Sequence, residues 1–96
     1  MIAPIEKKKL PLGKIVATRG ALDALEKSGE PPIKFLVIHS RGDWGIVCAE
    51  DWEANDSDLE DGGRILSAYK TSKGVKIYIV TEWDRSATTI LLPEEY

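Results

Sequence analysis

The hydrophobic pattern is most regular in the last third of the chain. Val75, Ile77 and Ile79 alternate with Lys76 and Tyr78, the period of two that marks a half-buried strand. This run, "VKIYIVTEW", and the preceding "RILSAYKT" flank Ser72-Lys73-Gly74, a short glycine-containing hairpin loop. A polar turn, "DRS", then leads into "ATTILL", rich in β-branched residues and closed by Pro93. Three strands joined by short turns make an antiparallel C-terminal β-meander.

The first two thirds alternate helix and strand signals. "GKIVAT", Gly13 to Thr18, is a short β-rich run that predicts an edge strand. Thr18 can cap a helix that carries Leu22 and Leu25 on one face and stops at Gly29. Pro31 and Pro32 suit the first turn of a second helix. Its apolar residues Ile33, Phe35, Leu36, Val37 and Ile38 are nearly contiguous, so periodicity cannot separate helix from strand. The proline start and the Arg41-Gly42 stop favour helix. A third helix is predicted over Ala49 to Asp61, with Trp52 and Leu59 on one stripe and Gly62 as its end. The fold class that follows is α+β, with two or three helices packed on one face of a three- to four-stranded, mostly antiparallel sheet. Residues 1–11, with Pro4, Pro11 and the Lys7-Lys8-Lys9 run, read as a flexible N-terminal arm before a domain over 12–96.

Composition adds bounds. Ninety-six residues, 43% of them apolar and 30% charged, suit one modest core. No run approaches the roughly 20 apolar residues that span a bilayer, and the N-terminus lacks a secretory pattern, so no membrane role is expected. Cys48, the only cysteine, has no partner for an internal disulfide and points to the cytoplasm. The net charge of −3 is segregated: +3 over 1–48, −7 over Ala49 to Gly63, and +1 over 64–96. A bulk basic field for nucleic acid is absent. The seven acids of the third helix favour its dipole at the N-terminal end and oppose it in the last turn, where a further use for the charge is one explanation.

The candidate chemistry begins with "VIHSRGDWG", which holds the only histidine. His39 and Asp43 stand four apart, so the carboxylate could orient the imidazole and raise its pKa, as a general acid/base requires. Trp44 beside two glycines offers a stacking face. The alternative is a histidine at a helix end, favoured by the dipole, with Trp44 as a core plug. Arg64, Arg85, Thr88 and the neighbouring Ser67, Tyr69, Ser86 and Thr89 form a second group on or beside the strands. With His39 they would suffice for metal-independent RNA cleavage, a base for the 2′-hydroxyl and arginines for the phosphate; equally, Thr and Tyr are good strand formers. Cys48 with His39 is a formal thiol–base pair, although a lone cysteine is more commonly a small buried apolar residue. Glu50, Glu53, Asp56, Asp58 and Glu60 can form an acidic stripe that imitates a row of phosphates, or simply solvate a helix face. No metal site, calcium loop, phosphate loop or dinucleotide fingerprint is present, so no metal and no cofactor are expected.

The stretches "LGKIVATRGALDAL", "GDWG" and "GGRILSAYKTSKGVKIYIVTEWDRSATTILLPEEY" resemble a family of small bacterial proteins carried on plasmids, integrative elements and gene cassettes and labelled "plasmid-related". The likeness covers roughly residues 10–96. It implies a mobile-element setting and carries over no catalytic residue. Some members bear a type I restriction-modification label, which this chain is too short to support as a methyltransferase. The layout, helices before a small sheet with His39 followed by Arg64, Ser67, Thr81, Arg85 and Thr88, is similar to that of barnase/colicin-type RNA-cleaving toxins, without their second histidine or Glu/Arg pair.

The sequence therefore favours a non-enzymatic accessory protein of a mobile genetic element that binds another macromolecule, protein rather than nucleic acid, with a homodimer as one form of it. Trp44 and the acidic stripe are the binding candidates. The alternatives are a metal-independent ribonuclease centred on His39, and an acidic decoy for restriction enzymes.

Overall fold

A computed structural model of the chain describes residues 9–96. The elements follow in the order β1 (Lys14–Ala17), α1 (Arg19–Ser28), α2 (Pro32–Ser40), α3 (Ala49–Asp61), β2 (Ile65–Lys70), β3 (Lys76–Thr81) and β4 (Ala87–Leu91), with a 3-10 turn at Pro93–Glu95. This is an α+β fold in which three helices pack with a four-stranded mixed sheet of order β1-β4-β3-β2. The meander β2-β3-β4 is antiparallel, whereas β1 runs parallel to β4, pairing Ile15 with Thr88 and Ala17 with Ile90.

Local chemistry accounts for the helix limits. Thr18 is extended and its hydroxyl accepts from the Ala21 N–H, while Gly29 takes the left-handed conformation that ends α1. Pro31 and Pro32 open α2, where the missing proline N–H removes no helical bond. Gly62, at φ 90°, ends α3 with its N–H on the Asp58 carbonyl. On α1, Leu25 is buried but Leu22 remains half exposed, because Ala21 and Ala24 complete the buried face.

Two apolar clusters fill the space between helices and sheet. One joins Ala21 and Leu25 of α1, Phe35 and Leu36 of α2, and Tyr69, Ile77, Ile79 and Ile90 of the sheet. The other gathers Leu10, Trp44, Leu59 and Ile65 beneath α3. The expected flexible arm needs correcting at its end: Leu10 is buried and its N–H donates to the Ser40 carbonyl at 2.8 Å. A leucine that finds an apolar cluster is held there by about 2 kcal/mol of burial. The rest of the arm, residues 1–8, lies outside the described residues. No helix among the described residues is long and apolar enough to cross a membrane.

Candidate functional site

α2 points Phe35, Leu36 and His39 inward, at i, i+1 and i+4 of one helix face. His39 has no exposed surface. Its Nδ1 lies 2.5 Å from Ser67 Oγ and its Nε2 lies 2.8 Å from Thr81 Oγ1. Thr81 Oγ1 is in turn 2.8 Å from Thr88 Oγ1, which donates to the Leu12 carbonyl at 2.7 Å. The last bond fixes the direction of the chain as far as Nε2. Thr88 has one proton and gives it to Leu12, so it accepts from Thr81, and Thr81 must then accept from Nε2–H. Burial disfavours a second proton on the ring, so the imidazole is neutral, protonated at Nε2, and Nδ1 accepts from Ser67. Burial pushes its pKa down to about 4.

This arrangement corrects the reading of His39 as an imidazole raised by Asp43. Asp43 is exposed, and its Oδ1 accepts from the Gly45 N–H at 3.0 Å, stabilising the turn after α2. Trp44 offers no stacking surface: it is fully buried, meets the His39 ring edge-on at 5.7 Å, and donates from Nε1 to Asp56 Oδ1 at 2.9 Å. Thr88 is buried as well, as the last hydroxyl of the chain. Cys48 departs from the buried cysteine of the sequence reading. It is exposed at the N-cap of α3 and makes no pair with an imidazole whose nitrogens are both engaged.

The two arginines do not join His39. Arg85 takes a left-handed conformation, φ 61°, in the β3–β4 turn. Its Nη2 donates to the Asp58 carbonyl at 2.7 Å, and its Nη1 donates to the carbonyls of Gly63 at 2.5 Å and Glu82 at 3.3 Å. The guanidinium thus sits on the C-terminal end of α3, supplying from another element the cation that the helix's own last turn lacks. That explains how α3 tolerates acids in its last turn. Arg64 is half exposed, 3.7 Å from Glu82 Oε1 and with its guanidinium 5.2 Å from the centre of the Tyr96 ring.

The acidic stripe divides in two. Glu50, Glu53 and Glu60 are exposed. Asp56 and Asp58 are half-buried, the first turned to the Trp44 indole and the second packed under Gly63, where a Cβ would meet its carboxylate within 2.3 Å. Asp51, Ala54, Asn55, Asp58, Arg64 and Leu66 line a depression of about 270 Å³ between α3 and β2. Among the described residues, no group of three or more His, Cys, Asp or Glu is placed to hold a metal ion.

One residue that the sequence reading missed is Asn55. Its amide donates to the Leu66 carbonyl at 2.8 Å and accepts from the Leu66 N–H at 3.4 Å, so a side chain completes the ladder of β2 as a strand would. The signal was present in the sequence. Asn55 lies three residues after Trp52 and four before Leu59, on their apolar stripe, where a polar group must find an internal partner.

No family model, curated protein or solved structure matches the chain.

Proposed function

We propose that the chain is a non-enzymatic accessory protein that acts by binding another protein. The observation that carries this reading is the state of His39. The residue best suited to proton transfer is sealed in the core, neutral, with both nitrogens committed to hydroxyls of the fold. Arg85, the second member of a ribonuclease set, is committed to three carbonyls at the end of α3. General acid/base catalysis needs a group within hydrogen-bond reach of substrate, and neither side chain offers it.

Surface chemistry supports a protein partner over a nucleic acid. The outer face of α3 presents carboxylates, which repel phosphate, and the net charge is −3. Elsewhere the surface keeps large apolar side chains in water, among them Ile15, Val16, Ile46 and Trp83. The mobile-element setting implied by the sequence resemblance, and the cytoplasmic setting read from the lone Cys48, are proposed with it. The test is direct: purified chain incubated with mixed cellular RNA in the absence of divalent metal leaves the RNA intact. Turnover of RNA by the wild-type chain would overturn the reading and make His39 reachable by substrate.

A further inference from the structure

The two edges of the sheet are treated differently. At the β2 edge, the Ala68 N–H donates to the Trp44 carbonyl at 3.1 Å and the Ala68 carbonyl accepts from Ile46 N–H at 2.8 Å. Gly45 forms a parallel bridge to Ala68, and Asn55 covers Leu66. At the β1 edge, Lys14 N–H donates to the Ser86 carbonyl at 3.0 Å and Thr18 N–H to the Ile90 carbonyl at 2.9 Å. Main-chain groups alternate along a strand, so Lys14, Val16 and Thr18 turn toward β4, and Ile15 and Ala17 turn away from the sheet. No described residue bonds to the main chain of Ile15 or Ala17. β1 is protected only by its shortness and by Lys14 at its start, and carries no proline or charge at its centre. Instead it presents Ile15 at 48% and Val16 at 40% exposure.

We propose that β1 pairs antiparallel with β1 of a second copy, joining two four-stranded sheets across a two-fold axis. Hydrogen-bonding groups at Ile15 and Ala17 set the register, Ile15 opposite Ala17 of the second copy. Val16 then meets its own symmetry mate on the outer face, and Lys14 lies opposite Thr18. No like charges face each other, and the apolar side chains left in water are the ones covered. Among the described residues β1 is the edge left open, so the assembly closes at two copies and does not extend as a filament. The contact is a single short strand, so the dimer is weak and reversible. This rests on the binding reading above and names its partner.

The experiment is sedimentation equilibrium across micromolar to millimolar chain concentration. The expected mass rises from 10.6 kDa toward twice that value. Ile15→Pro removes one outward N–H and leaves the bonds to β4, and Val16→Lys puts a charge at the axis; each stays monomeric with unchanged circular dichroism. Ile46→Lys, on the opposite edge, still dimerises. A wild-type chain of constant monomer mass overturns the proposal, as does a Val16→Lys variant that dimerises or an Ile46→Lys variant that does not. None of these results bears on RNA cleavage, so the failure of this pairing and the failure of the non-enzymatic reading are told apart.

Discussion

At the scale of single residues, burial sets the charge state of His39. An imidazole of ordinary pKa 6.5 is pushed down to about 4 in the folded chain. Because the folded pKa is below the unfolded one, the unfolded chain binds the extra proton between those values. Stability is thus fully present above pH 6.5 and falls as pH drops toward 4, by about 3 kcal/mol in all. Urea denaturation between pH 7.5 and 4.5 checks this, and a stability that is flat across the interval contradicts it. Glu30, held down to about 2 by Lys34 and the Ser72 N–H, adds its own loss only below its ordinary value of 4.5, beneath the interval measured. This histidine was legible as a choice and no more. The sequence places Ser67, Thr81 and Thr88 on the strand positions shared with Ile65, Ile79 and Ile90, so their inward direction follows from period two. What it does not carry is that a helix 28 to 49 residues upstream brings an imidazole to them.

Elements in this fold are completed by side chains of other elements. α3 has no basic residue in its last turn, and Arg85 provides the missing charge from the β3–β4 turn. Three donated bonds to carbonyls make this arginine worth about 2 kcal/mol, typical of hydrogen bonds from a charged donor. Arg85→Ala should lower unfolding free energy by about that amount. Arg85→Lys should recover only part, since one ammonium lacks the planar fork that reaches two elements. Arg85→Gly should lie above the alanine variant by about 1 kcal/mol through relief of the left-handed φ. Chemical denaturation of the three variants is the measurement, and equal stability of all three with wild type would contradict the account. Helix limits were legible because caps are local: Thr18, Gly29, Pro32 and Gly62 each act within one turn of their own position. The alternating strands of the meander were legible for the same reason. The parallel pairing of β1 with β4 was not, because partners some seventy residues apart leave no mark in either segment.

For the molecule as a whole, the consequence is a division between an interior that uses its polar side chains for folding and a surface that carries most of the charge. Among the described residues, every buried side-chain nitrogen and oxygen has a partner, which is what a fully specified core requires. The candidate residues separate accordingly. His39, Trp44 and Thr88 belong wholly to the interior, and Asp56, Asp58 and Arg85 are half-buried and tied to it. Asp43, Glu50, Glu53, Glu60 and Arg64 belong to the surface. Sequence alone could propose these residues but could not sort them, since burial is a property of the assembled core. The measurement that reaches the centre of this account is a nitrogen-15 NMR titration of the one imidazole. A single histidine gives an unambiguous pair of ring signals. The account predicts a neutral ring with its proton on Nε2, unchanged from pH 8 through 6 and protonated only near pH 4 or on unfolding. A midpoint between 6 and 7 in the folded chain would instead describe a solvent-reached imidazole, and would return His39 to the active-site reading.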